Sequence, residues 1–440
     1  MVRRIAKANE RGQLSMAAAD REVERSGIGM TGLARSLGGR VLASGPLRIL
    51  MLGHFSVDMY AGVLPVLYPL LLGRFHLDLK TLGLIALAYS GGSSVSQPLF
   101  GLIADRWGTR FTGAALAWTA VLFATVGFAP TFPALLALAG LAGIGSGAFH
   151  PMGAVTASAV IDERNRNSAM SLYTSAGTLG IAVGPLVGAL LLALLGLHGT
   201  ALMIAPGLIA SVLLLRVMLR PGFPTVRRRP GETNAHGPLA TGVLAVIIGV
   251  MMLRSWTTFG LQSFIPTWYA SMGYGPEFYG PLATTLVLTN AIGAVAAGTL
   301  ADRIGRKTVI VASAICSVPT ILLFAQFPGG SAFLTAAAIG LFGASTAPLL
   351  LVLAQQVMAG RAGLASGLIL GLGFITGAIG IPIMGAIGDQ YGLQNAMRAL
   401  AIVGAGGAIL SCWLPSEARV SQIVARREMR PVAAGVGTAD

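Results

Sequence analysis

Gly101-Leu-Ile-Ala-Asp-Arg-Trp-Gly108 and Gly298-Thr-Leu-Ala-Asp-Arg-Ile-Gly305 are two writings of one motif. The offset that carries Gly101 onto Gly298 also carries Pro151 onto Pro348, Arg164 onto Arg361, Pro185 onto Pro382 and Gly188 onto Gly385. A register kept over that distance marks a duplicated chain, and long-period self-similarity has to be read before any local pattern.

The solvent of the two copies follows from composition. Of 440 residues, 54% are hydrophobic and 10% are charged, against about 25% charged in a soluble chain. Apolar runs long enough to cross a hydrocarbon core of roughly 30 Å as helices recur along the whole length. They fall at 46–72, 80–104, 111–129, 133–159, 167–195 and 199–219, and again at 239–270, 277–301, 308–326, 331–358, 363–388 and 393–414. The expected fold is an all-α integral membrane protein of twelve spans in two pseudo-symmetric six-helix halves. Repeated hydrophobic halves in one chain are the mark of a secondary transporter that moves one half against the other.

The net charge of +14 does not call for a nucleic-acid partner. With both termini in the cytoplasm, every Lys and Arg falls on the cytoplasmic side except Arg74, Lys80 and Arg398 outside and Arg254 within a span. That asymmetry is the positive-inside bias, and it survives when the basic residues of the long N-terminal tail are set aside. The expected organisation is a disordered basic tail over 1–45, a half over 46–219, a linker over 220–238 rich in Pro, Gly and Arg, a second half over 239–414, and a cytoplasmic tail over 415–440. The N-terminal stretch lacks the apolar core of a signal peptide. Cys316 and Cys412 lie singly within spans, so no disulfide framework is indicated. Short connections at 130–132 and 327–330 make tight hairpins that can move as one body.

The repeated Gly-x-x-x-Asp-Arg-x-Gly-x-Arg/Lys, at Gly101, Asp105, Arg106, Gly108 and Arg110 and at Gly298, Asp302, Arg303, Gly305 and Lys307, resembles the cytoplasmic loop motif of the major facilitator superfamily. The resemblance implies the major facilitator fold and a latch that closes the cytoplasmic ends when the carrier opens outward. Read by its chemistry, an Asp near a helix start is favoured by about 0.3–1 kcal/mol, and Arg106 supplies an opposing charge. The same residues also suit a solvated turn that only sets topology. Gly180-x-x-x-Gly184-Pro185-x-x-Gly188 resembles the fifth-span pattern of the superfamily's proton-coupled exporters. There small residues allow close helix approach and the proline supplies a bend, though ordinary packing would use the same residues. Gly53-His-Phe-Ser-Val-Asp58, Gln97-Pro98, Gly145-Ser-Gly-Ala-Phe-His-Pro151, Arg254-Ser-Trp256 and Phe264-Ile-Pro266 together look like the fosmidomycin-resistance type of this superfamily, which implies proton-driven drug export.

A charge at mid-span costs about 2.5–3.5 kcal/mol, so it normally faces a cavity or a partner. Asp58 in the first span and Arg254 in the seventh are the central charges, and their spans are counterparts in the two halves. His54 shares a helix face with Asp58. The pair is expected to carry a proton, with Asp58 loosening its hold on Arg254 when protonated; a static Asp58–Arg254 bridge is the structural alternative. Arg254 presents a planar fork matched to carboxylate or phosphonate oxygens, and Trp256, Phe259 and Gln262 follow on the same span as possible walls. His150, before Pro151, and Gln97, Asn290, Gln355 and Gln356 are further candidates for the path.

No Walker loop, paired Cys/His metal spacing or nucleophile triad is present. The expectation is therefore not an enzyme, with no metal and no cofactor beyond the proton gradient, acting as a monomer in the inner (plasma) membrane on a small-molecule substrate, with lipid as its surroundings. A proton-coupled antiporter exporting a drug-like molecule, such as an anionic phosphonate of the fosmidomycin kind, fits these features. Proton-linked uptake of a small organic anion is the alternative within transporters. A transport-inactive binding or assembly protein on the same fold is the alternative outside them.

Overall fold

The computed structural model describes residues 45–160, 166–220, 223, 241–343, 346–358 and 362–433, which carry helices and no strand. The first half consists of α1 (Gly45–Phe75), α2 (Leu79–Trp107), α3 (Thr112–Thr125), α4 (Phe132–Val160), α5 (Arg166–Leu195) and α6 (Ile204–Met218). The second consists of α7 (Thr241–Ser271), α8 (Pro276–Ile304), α9 (Arg306–Gln326), α10 (Ala332–Gly343), α11 (Ala347–Val357), α12 (Ala362–Tyr391) and α13 (Leu393–Ser411), followed by α14 (Glu417–Ala433). The tail before residue 45, positions 221–222 and 224–238 of the linker, the first two positions of the expected second half (239–240), Arg164 and Arg361 lie outside the described residues.

Each expected span has its helix, with α10 and α11 together filling the tenth. Among the described residues nine segments are long and apolar enough to cross a membrane, and one of them, Leu172–Met218, takes in α6 and α5 from Leu172 onward. Thr112–Phe128 is apolar but shorter. The remaining span, α2, is diluted by Ser90, Ser93, Ser94, Ser96 and Gln97. Span ten differs from its counterpart. Pro151 lies inside a continuous α4, whereas Pro348 stands in the first turn of α11, where a missing N–H leaves no bond unmade.

Local chemistry sets the helix ends. Asp78 caps α2 by accepting from the Thr81 N–H at 2.7 Å, which satisfies one of the donors a helix start leaves open. The glycines that close the two repeated motifs, Gly108 and Gly305, have φ of 81° and 88°. Each N–H donates back to the carbonyl of the fourth residue before it, Ala104 at 2.8 Å and Ala301 at 2.9 Å. A side chain is strained in that backbone region, so both copies keep glycine there.

Within the first half α1 packs on α5 and α2 on α4; within the second α7 and α9 pack on α13 and α8 on α10. The halves meet mainly along two seams, α2 against α12 and α5 against α8. Each seam joins the second span of one half to the fifth of the other, as a two-fold relation demands. At the first, a Cβ on Gly83 would fall 2.8 Å from Pro382 Cα; at the second, a Cβ on Gly280 would fall 3.1 Å from the Pro185 carbonyl oxygen. Gly83 and Gly280 are counterparts by the duplication, and so are Pro382 and Pro185. The repeated prolines therefore meet repeated glycines where the halves touch. These contacts lie at the end of the bundle opposite residue 45, called here the far end.

The C-terminal segment expected as a tail contains the helix α14. Val420 is buried against the second half's core, and Glu417 is clamped by Arg306, which explains why so polar a stretch stays docked.

Candidate functional site

The chemistry of the first half gathers around Asp58. His54 and Asp58 are one helical turn apart on α1, and His54 Nε2 lies 3.3 Å from Asp58 Oδ2. α4 brings His150 Nε2 to 3.3 Å from Asp58 Oδ1, with Ser146 Oγ 3.4 Å from the same nitrogen. His54 Nδ1 stands 2.9 Å from the Tyr173 carbonyl oxygen on α5. A carbonyl only accepts, so this nitrogen carries the hydrogen. In a neutral ring Nε2 is then an acceptor facing a carboxylate oxygen, and two acceptors at that distance repel. A proton on either group would bridge the two. The site is enclosed: His54 is buried and the Asp58 side chain is 14% exposed, with the Tyr173 and Phe149 rings tilted beside His54.

Gly177 on α5 makes room for this arrangement. A Cβ there would fall 2.6 Å from His54 Nε2 and closer still to Asp58 Oδ2. Among the described residues His54, Asp58 and His150 are also the group that could hold a metal ion, their ligand atoms lying within 4.8 Å of one another. The sequence reading named His54, Asp58 and His150 but not Tyr173 or Gly177. Gly177 sits one turn before Gly180 in the small-residue run of α5, the one local sign of it.

Arg254 stands elsewhere. Among the described residues the ion pairs are His54–Asp58, His150–Asp58 and Arg306–Glu417, and none joins Asp58 to Arg254 as the sequence reading expected. Arg254 lines a narrow cavity of about 40 Å³ whose described walls, from Val250 to Gly407, all belong to the second half. Gln262 and Asn290 line it too, as do Thr257, Thr258 and Leu261. No Asp or Glu does. Positions 254, 257, 258 and 261 share one helix face, which separates them from Trp256 and Phe259. Those two rings turn to α12, where a Cβ on Gly380 would meet Trp256 and one on Gly377 would meet Phe259; Phe259 also lies 5.7 Å from the Phe374 ring. Gln97 and Gln355 are half-buried on α2 and α11. Gln356 is at the near end, accepting from Arg306 Nη1 at 2.8 Å.

The two loop motifs sit at the near end. Arg106 and Arg110 are exposed, as are Asp302 and Arg303, and the Arg106 guanidinium lies 5.2 Å from the Trp107 ring centre. The Asp105 side chain lies outside what the structure describes. Arg306, in the second motif, grips Glu417 of α14 through Nη2 at 2.7 Å and Nε at 3.0 Å, an arrangement the sequence reading did not anticipate. The fifth-span glycines press α5 onto α1: Gly184 faces the Met59 carbonyl, Gly180 that of Phe55, and Gly188 the side chain of Val63. Pro185 faces the opposite half, so one motif serves two neighbours.

Residues 50–288 and again 246–436 match the family description Major Facilitator Superfamily. Over 388 residues, 86% of this chain and 94% of the relative, the chain is 31% identical to the uncharacterized MFS-type transporter YfnC of Bacillus subtilis strain 168. It is 28% identical to the fosmidomycin resistance protein of Escherichia coli K12, over 84% of this chain and 93% of that protein. In fold it is similar to the crystal structure of a bacterial homolog of the human lysosomal transporter Spinster, with a TM-score of 0.71 at 14% identity, covering 87% of this chain and 97% of that one.

Proposed function

The chain belongs to the Major Facilitator Superfamily, and we propose that it is a proton-coupled exporter of drug-like small molecules, with an anionic phosphonate of the fosmidomycin kind as the first cargo to try. One observation carries the coupling: an enclosed carboxylate between two imidazoles, one of them oriented by a backbone carbonyl, so that a proton can be shared within the cluster. A group of this kind, placed on α1 and α4, gains or loses that proton as the halves rock and the cluster faces one side or the other. The Arg254 cavity supplies the cargo's polar contacts from the other half. Coupling then passes through the motion of the halves, since no described side chain lines both sites. The similarity to the fosmidomycin resistance protein supports the direction of transport and the choice of cargo.

The test uses everted vesicles with an imposed proton gradient, followed by a susceptibility screen of cells with and without the gene. Gradient-driven accumulation of fosmidomycin in the vesicles, lost in Asp58→Asn while cargo counterflow persists, is the expected result. Uptake of an organic acid by right-side-out vesicles, with external alkalinisation and no drug phenotype, would instead establish symport. An Asp58→Asn protein that still concentrates cargo against its gradient would remove the cluster from the mechanism.

A further inference from the structure

At the far end of the α2–α12 seam, a carboxylate of one half closes the helix start of the other. Asp389, in the last turn of α12, accepts from the Leu79 N–H through Oδ1 at 2.7 Å and from the Lys80 N–H through Oδ2 at 2.9 Å. Leu79 opens α2, so these two donors have no partner within their own helix. The helix's own cap, Asp78, serves a different donor, the Thr81 N–H. The first turn of α2 is thus held partly by its own segment and partly by the opposite half.

The surrounding backbone brings the carboxylate there. Gly385, one turn before Asp389, lies against the Leu79 carbonyl, and Gly83, one turn into α2, lies against Pro382. The second seam has the same glycine and proline but no carboxylate reaching across it; α8 carries Glu277 in its own first turn. The position that the duplication pairs with Asp389 is Leu192, a buried apolar residue. One seam is therefore closed by shape, and the other by shape together with two hydrogen bonds to an ion at a helix N-terminus, where the dipole favours negative charge.

We propose that Asp389 is the bolt of the far-end gate, a positioning residue whose two bonds to α2 form when that end closes and break each time it opens. The chemistry suits a contact that must be remade in every cycle. Asp389 and Lys80 are exposed, so water replaces both bonds when they part and no buried polar group is stranded, which keeps the net difference small. The inference stands on the fold alone and holds whichever way cargo moves.

The test measures separation of the seam without asking for transport. The two native cysteines, both exposed, are replaced by alanine, and spin labels are attached at Lys80→Cys and Gln390→Cys in reconstituted full-length protein. With Asp389 intact the labels should show a dominant short distance. Asp389→Ala should raise the ratio of long to short distances by about tenfold, the effect of losing bonds to a charged acceptor. Asp78→Ala, which strips a cap from the same helix end without touching α12, should leave the ratio as it was. Asp389→Asn keeps the shape and one acceptor oxygen, should give an intermediate ratio, and serves as the test variant where the alanine protein fails to fold. An unchanged ratio in the Asp389 variants, or an equal opening in Asp78→Ala, would overturn the proposal, the latter by showing that the carboxylate only stabilises a helix end.

Discussion

Asp58 Oδ1 stands 3.3 Å from His150 Nε2, joining a carboxylate on the first span to an imidazole on the fourth. Since both belong to one half, the joint can persist while the halves rock, which is what a carried proton needs. Removing one partner of a buried polar group costs about 1–3 kcal/mol, so His150→Ala should unfold at lower temperature in detergent. The same substitution in an Asp58→Asn background should cost less. A coupling energy below about 0.5 kcal/mol in that double-mutant cycle would mean the two residues merely lie close.

Gly177→Ala should displace the cluster. Its methyl group has no space beside His54 and Asp58, and overpacking of this sort costs about 1–3 kcal/mol. Gradient-driven export should fall sharply while membrane insertion is retained. Gly73→Ala is the matched control, because nothing lies within 4 Å of a Cβ there. Equal activity of the two variants would show that the pocket around Asp58 tolerates rearrangement.

Cargo affinity should depend on Gln262 and Asn290 but not on Trp256. Loss of one neutral hydrogen bond is worth about 0.5–1.5 kcal/mol, so Gln262→Ala or Asn290→Ala should raise KM by roughly threefold to tenfold. Trp256→Phe, on the face packed against Gly380, should leave KM unchanged. The reverse pattern would move the cargo from the Arg254 cavity to the α7–α12 face.

Docking of α14 should depend on pH through Glu417. The Arg306 guanidinium and its N–H hold this carboxyl below its ordinary value of 4.5. A depressed folded-state pKa gives stability that is present above the unfolded value and lost as pH falls through the folded one. Protection of the α14 amides, taken relative to the intrinsic exchange rate at each pH, should therefore be flat from neutral pH down to about 4.5 and fall below it. The Glu417 side chain is 45% exposed, so screening limits the pair to at most about 1 kcal/mol. Glu417→Gln should show the lower protection already at neutral pH and converge with the wild type at low pH.

Chelation separates a proton from a resident metal ion in the Asp58 cluster. Gradient-driven export should be unaffected by EDTA on either side of the membrane. Activity lost in EDTA and restored by one divalent ion would reassign the cluster to metal binding.

The span positions, the duplication and the His54–Asp58 pair were legible in the sequence. Each rests on local rules: the length a bilayer demands, a repeated register, and the helical turn that puts residues four apart on one face. Helix α14 escaped notice because its attachment depends on Glu417 meeting Arg306, more than a hundred positions away. Trp256 and Phe259 looked like walls for Arg254 because they follow it closely, yet they point to a different neighbour.

What the sequence by itself determined is the architecture and the presence of a few expensive polar groups within it, since burying apolar length and avoiding mid-membrane charge are demands met one segment at a time. Only the tertiary structure decided which groups meet: Asp58 with His150 rather than Arg254, and Asp389 with the start of α2. The physical reason is that partners on different helices are chosen by how closely two backbones can approach and at what angle, and that choice depends on the glycine and proline surfaces of both helices together.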